Sequence, residues 1–125
     1  MAGELILIVE DNDRNLELVQ DILELRGFRT LTAVCGSDSI SLAKRYAPDL
    51  ILMDIQLPDV DGVEALHRLR SEEATRSIPV LALTAFAMTA DRQRFIDAGF
   101  DGYLAKPIDV RTLADVVRKH CRQRP

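Results

Sequence analysis

Four short runs of apolar residues, at 5–9, 50–53, 80–83 and 103–105, carry no polar alternation, and this constrains the chain more than any other feature. A strand wetted on one face alternates apolar with polar residues, whereas an unbroken run reads as a strand covered on both faces. A weaker segment at 29–33, with Leu31 and Ala33 on one side, reads as a fifth strand, more exposed and at a sheet edge. Between these runs the apolar residues take helical spacing: Leu16, Val19 and Leu23 with Leu18, Ile22 and Leu25; Ile40 and Ala43; Val63, Leu66 and Leu69; Phe95, Ile96 and Ala98; Leu113, Val116 and Val117. Gly27 and Gly99 follow helical stretches, Pro48 and Pro79 precede strands, and Pro107 opens the way into the last helix. The strand-helix unit therefore repeats five times. Short connections force parallel strands with right-handed crossovers, which predicts an α/β fold, a (βα)5 three-layer sandwich.

At 125 residues, with 47% hydrophobic and 29% charged, the chain suits a single domain, spanning 1–125, that builds a core without disulfide or metal staples. The net charge of −4 argues against a nucleic-acid partner, which would need clustered cations to displace counterions. Arg118, Lys119, Arg122 and Arg124 form a basic cluster that reads as a solvated last helical turn. Cys35 and Cys121 lie far apart without C-x-x-C spacing, as free thiols in a reducing, cytoplasmic setting do. The apolar start at 5–9 is followed at once by Glu10 and Asp11, too short for a signal core. No run approaches the ~20 residues of a membrane span, so membrane insertion is not expected.

In a parallel sheet every strand ends at the same edge, and ligands bind there. Strand one ends in Glu10 and Asp11, strand three in Asp54, strand four in Thr84, and strand five in Lys106 followed by Pro107. Carboxylates ~4 Å apart repel by about 4 kcal/mol at an effective dielectric of ~20, so such a cluster needs cations. Lys106 supplies one. Oxygen-only ligands without His or Cys select a hard divalent ion, Mg²⁺ or Mn²⁺. Mg²⁺ is commonly held by one or two carboxylates together with phosphoryl oxygens, which points to phosphoryl chemistry. Asp54, on the central strand, is the candidate nucleophile that would form an acyl phosphate. Lys106 and the metal would neutralise charge on the equatorial oxygens, and Thr84 would donate a hydrogen bond to the new group.

The strings LILIVEDND (5–13), LILMDIQLPDVDG (50–62), LTAFAM (83–88) and DGYLAKPI (101–108) closely resemble the receiver domain of bacterial two-component response regulators. The resemblance runs end to end. It implies a flavodoxin-like five-stranded sheet in the order 2-1-3-4-5. It implies that Asp54 accepts a phosphoryl group from a phosphohistidine on a sensor histidine kinase or histidine phosphotransfer protein. Asp11 would ligate Mg²⁺ directly, Glu10 through water, Asp54 itself would be a ligand, and Gln56 would add its backbone carbonyl. Lys106 would pair with the phosphoryl oxygens, and the Lys106-Pro107 bond resembles one that is cis in the family. Thr84 and Tyr103 match the switch hydroxyl and the switch aromatic. On phosphorylation the loop from Ala85 to Met88 would follow Thr84, and Tyr103 would turn into the vacated space. A downstream protein target would read the face made by the fourth helix, fifth strand and fifth helix. By the same analogy Asn12, Asn15 and Leu16 would contribute to kinase docking.

Glu10 stands where some relatives carry aspartate, and Gln56 and Phe86 occupy the positions that tune self-dephosphorylation in the family. The small Ala85 leaves the site open to a donor. Haloacid-dehalogenase-like phosphohydrolases also form an aspartyl phosphate, but they place a second Asp two residues after the nucleophile, where this chain has Gln56. A phosphorylation-independent adaptor is a further alternative, against which the intact pocket counts. Across ILMDIQLPDVDG and LTAFAM the chain is similar to stand-alone receivers of the DivK cell-cycle type, and receivers of hybrid histidine kinases use similar strings. Met1 favours a complete chain, with no output domain beyond the receiver and an output made by protein-protein contact.

Overall fold

The computed structural model describes residues 3–85 and 89–121, the side chains of 89–92 excepted. Its strands are β1 (Leu5–Val9), β2 (Arg29–Ala33), β3 (Leu50–Asp54), β4 (Val80–Thr84) and β5 (Gly102–Ala105). They alternate with helices α1 (Asp13–Leu25), α2 (Gly36–Tyr46), α3 (Gly62–Arg70), α4 (Thr89–Ala98) and α5 (Leu113–His120). All pairings are parallel, in the order β2-β1-β3-β4-β5. This is the doubly wound α/β sandwich expected from the alternation.

Period-two geometry divides each central strand between two cores. Leu7 and Val9 of β1 and Ile51 and Met53 of β3 join Ala43, Ala65, Leu66, Leu69 and Phe95, beneath α2, α3 and α4. Ile6, Ile8, Leu50 and Leu52 face the other way, onto Val19, Leu23, Leu113 and Val117 of α1 and α5. β1, β3 and β4 have no wetted side, which is why their sequences do not alternate.

The burial expected at three places is not observed. β5 was expected to be buried on both faces, but Gly102, Tyr103 and Leu104 are half-buried and Ala105 is exposed. The strand lies at the sheet edge and pairs only with β4. In α1 only Val19 and Leu23 are buried, while Leu18 is 39% and Leu25 83% exposed. One residue turns a helix by about 100°, so Leu18 lies on the flank of the buried stripe and Leu25, two past Leu23, points away from the sheet. Ile96, next to the buried Phe95 in α4, is likewise 52% exposed.

Register brings the strand ends level. Val9 lies opposite both Ala33 and Met53, Asp54 opposite Leu83, and Thr84 opposite Ala105. Gly99, at φ +111°, takes the left-handed turn after α4 that lets the chain re-enter the sheet. At the far end of the sheet Arg70 donates to the carbonyls of Arg76 and Ile78 and to the Asp101 carboxylate, which also accepts from Val80 N–H. No described helix is long and apolar enough to cross a membrane.

Candidate functional site

Glu10 follows β1 and Asp54 ends the adjacent β3, so the sheet sets both carboxylates side by side in buried positions. Asp11, next in sequence, is exposed, and one carboxylate oxygen from each of the three lies within 4.8 Å of the others. Lys106 arrives from the end of β5, its backbone N–H donating to the Thr84 carbonyl at 2.8 Å, and the Lys106-Pro107 peptide is cis. Its Nζ donates to Asp54 Oδ2 at 2.8 Å and makes an ion contact with Glu10 Oε1, also at 2.8 Å. The second contact has ion-pair distance but lies outside hydrogen-bonding directions, so buried Oε1 keeps an unused acceptor. The other oxygen of Asp54 accepts from Gln56 N–H at 2.9 Å, and Glu10 Oε2 accepts from Asn12 N–H at 3.3 Å.

Burial pushes the Glu10 carboxyl up to about 7, reinforced by its hydrogen bond and charge repulsion with Asp54 and opposed by Lys106 and Asn12 N–H. Burial acts on Asp54 in the same direction, but hydrogen bonds from Glu10, Lys106 and Gln56 N–H outweigh it and hold Asp54 below the ordinary carboxylate range. Lys106 is held above its usual value because its two carboxylate partners outweigh its own desolvation. Of the buried pair, Glu10 is therefore the one that binds a proton more readily, and Asp54 the one held in its charged form. Three clustered carboxylates, one with an unused buried oxygen, form a hard-oxygen donor set that fits Mg²⁺.

Thr84 ends β4 as a buried residue in the strand beside Asp54, and Ala85 after it is exposed. Tyr103 is half-buried in β5 and packs against the core beneath α2, α3 and α4. Phe86 and Met88, with the rest of the 86–88 segment assigned to the switch loop, lie outside the described residues. Cys35 is half-buried and Cys121 buried, both free, and burial raises the Cys121 thiol to about 11.

Sequence reasoning missed the work of the loop between β3 and α3. Gly62 N–H donates to Ile55 O at 2.8 Å, and a Cβ on Gly62 would stand 2.7 Å from the Asp54 carbonyl oxygen. Asp61 caps α3 by accepting from Glu64 N–H at 2.8 Å. Asp59 reaches instead to α2 and accepts from Gly36 N–H at 2.7 Å, Ser37 N–H at 2.9 Å and Ser37 Oγ at 2.7 Å. The Asp-Gly pair at 61–62 is a local turn signal; nothing local to Asp59 points to partners 22 and 23 residues earlier.

Comparison with known proteins agrees with this geometry. Residues 6–118 match the response regulator receiver domain family. The polar-differentiation response regulator DivK of Brucella ovis is 42% identical over 115 residues, covering 92% of this chain and 94% of that protein. Its counterpart in Brucella anthropi is 41% identical over the same length. Among solved structures, the receiver domain of a Pseudomonas aeruginosa sensor histidine kinase, with magnesium in its active-site cleft, superposes with a TM-score of 0.87 at 37% identity, covering 95% of this chain and 98% of that one. A chemotaxis response regulator of Vibrio cholerae gives 0.87 at 26% identity, with coverage of 95% and 98%. With the family matched across nearly its whole length and the acidic strand ends in place, the chain belongs to the response regulator receiver domains of two-component signalling.

Proposed function

We propose that this protein is a phosphorylation-dependent switch whose acceptor is Asp54, fed by a phosphohistidine on a sensor histidine kinase or histidine phosphotransfer protein. The observation that carries this is the contact of Lys106 Nζ with both Asp54 and Glu10 beside the exposed Asp11. Asp54, held in its charged form, attacks phosphorus, so an O–P bond forms as the P–N bond to the donor imidazole breaks. The leaving nitrogen takes the electron pair and a proton, and Asp54 is left as an acyl phosphate. Lys106 follows the oxygen it already contacts and offsets charge on the transferred group.

Asp11, Asp54, the Gln56 backbone carbonyl and, through water, Glu10 would hold Mg²⁺, with Mn²⁺ as a substitute. Bound there, the ion supplies charge neutralisation for the phosphoryl oxygens. Thr84 donates its hydroxyl to the new phosphoryl group, and Tyr103 responds from β5, changing the α4-β5-α5 face that a downstream protein reads. Docking of the donor uses α1 near Asn12, Asn15 and Leu16. Receiver domains are signalling proteins, and this one takes up and loses a phosphoryl group in the cytoplasm without acting as a turnover enzyme.

Incubation with phosphoramidate, a P–N donor like phosphohistidine, tests the acceptor assignment. A hydroxylamine-labile phosphoryl group mapping to Asp54 is expected. A phosphoryl group on His67 or His120, stable to alkali where an acyl phosphate is not, overturns the assignment.

A further inference from the structure

The loop from Ile55 to Asp61 is anchored at its base by Ile55 N–H on Leu83 O at 3.1 Å and by Gly62 N–H on Ile55 O at 2.8 Å. Its tip is anchored differently, by the three hydrogen bonds of Asp59 to the first turn of α2. The cap position of α2, Cys35, contributes no side-chain hydrogen bond, and a carboxylate from another segment takes up the first two N–H groups of this helix, those of Gly36 and Ser37. Charge favours the arrangement, because the carboxylate meets the positive end of the helix. The packing is close as well. A Cβ on Gly36 would overlap Val60 Cγ2 and lie 3.4 Å from Asp59 Oδ1, so loop and helix meet without room for a methyl group.

We propose that Asp59 is a positioning residue for the phosphoryl site, its bridge to α2 setting the course of the loop that carries Gln56. Gln56 lies three residues before Asp59 and touches the site through its backbone, donating its N–H to Asp54 Oδ1 at 2.9 Å. Its carbonyl is the one assigned to the metal. Neither group has rotamer freedom of its own, and both go where the loop goes. The short loop is held at base and tip, so release of the tip loosens the carbonyl while Asp54, at the end of β3, and Glu10, directly after β1, stay in place. The expected signature is weaker metal binding with a normal acceptor.

Because this inference rests on the Mg²⁺-dependent chemistry proposed for Asp54, the wild-type chain is measured first, by Mg²⁺ calorimetry and by phosphorylation with acetyl phosphate. A wild type that does neither overturns the proposed function itself. With an active wild type, Asp59→Ala is expected to weaken Mg²⁺ binding about 10-fold, as loss of an outer-shell support typically does. Its phosphorylation should be slow at limiting Mg²⁺ and recover at saturating Mg²⁺. Asp59→Asn keeps an acceptor for the α2 N–H groups and should recover part of the affinity. If Asp59→Ala does not fold, Ser37→Ala, which removes one of the three hydrogen bonds, is measured instead and should show a smaller loss of the same kind. A folded Asp59→Ala or Ser37→Ala chain with a lowered melting temperature but wild-type Mg²⁺ affinity makes Asp59 a helix cap alone and overturns the proposal.

Discussion

Lys106 Nζ stands 2.8 Å from Asp54 Oδ2, a contact between residues 52 apart in sequence, and the same nitrogen lies 2.8 Å from Glu10 Oε1. One ammonium thus serves both buried acidic side chains. Replacing it with Met should slow phosphorylation by acetyl phosphate about 100-fold, the usual cost of losing a positioned charge donor. Mg²⁺ affinity should hold or rise, since the carboxylates lose a competing cation. Lys106→Arg should not rescue the rate, because a planar fork cannot replace a point charge in this space. Unchanged rates in Lys106→Met would remove the lysine from the chemistry.

The Glu10 carboxyl, raised from 4.5 to about 7, should make Mg²⁺ binding at the proposed site depend on pH. Between those values the metal-free folded protein holds a proton that the unfolded chain has released, so its stability falls as pH rises through the window. Binding of Mg²⁺ favours the charged form, so affinity should climb through the same window and level off above it. Calorimetry in buffers of different ionisation enthalpy should show proton release on Mg²⁺ binding at about pH 6, little at about pH 8.5, and none in Glu10→Gln. Buffer-independent heats at the lower pH would contradict the assignment.

Gly62 sits where α3 begins directly over the end of β3. A methyl group there would press on the Asp54 carbonyl oxygen at 2.7 Å and on Ile55 Cα at 2.9 Å, both backbone atoms that cannot swing away. Gly62→Ala should cost about 2 kcal/mol, in the range of an overpacked core, measured by urea denaturation. Phosphorylation should slow with it. A variant as stable as wild type would show that the loop yields more easily than its contacts indicate.

Much of this was legible in the residues themselves. Strands β1, β3 and β4 read correctly because helices cover both faces, so every position before the strand-end Asp54 and Thr84 is apolar. β5 misled for a related reason: Tyr103, Leu104 and Ala105 are apolar, but an edge strand needs less cover than its composition suggests. Leu18, Leu25 and Ile96 show the same limit, since helical spacing marks a stripe without showing how much of it is covered. The meeting of Glu10, Asp54 and Lys106, with Thr84 ending the neighbouring strand, was legible because parallel strands share an edge. Asp59 was not, because its partners Gly36 and Ser37 come from another βα unit and only the folded sheet brings them near.

Intact-mass measurement after incubation with acetyl phosphate, with Mg²⁺ or with EDTA, beside an Asp54→Asn chain, tests the acceptor most directly. A single phosphoryl adduct that forms only with metal present and only when Asp54 is intact is the predicted result. An adduct of undiminished yield in Asp54→Asn, or in EDTA, would contradict it.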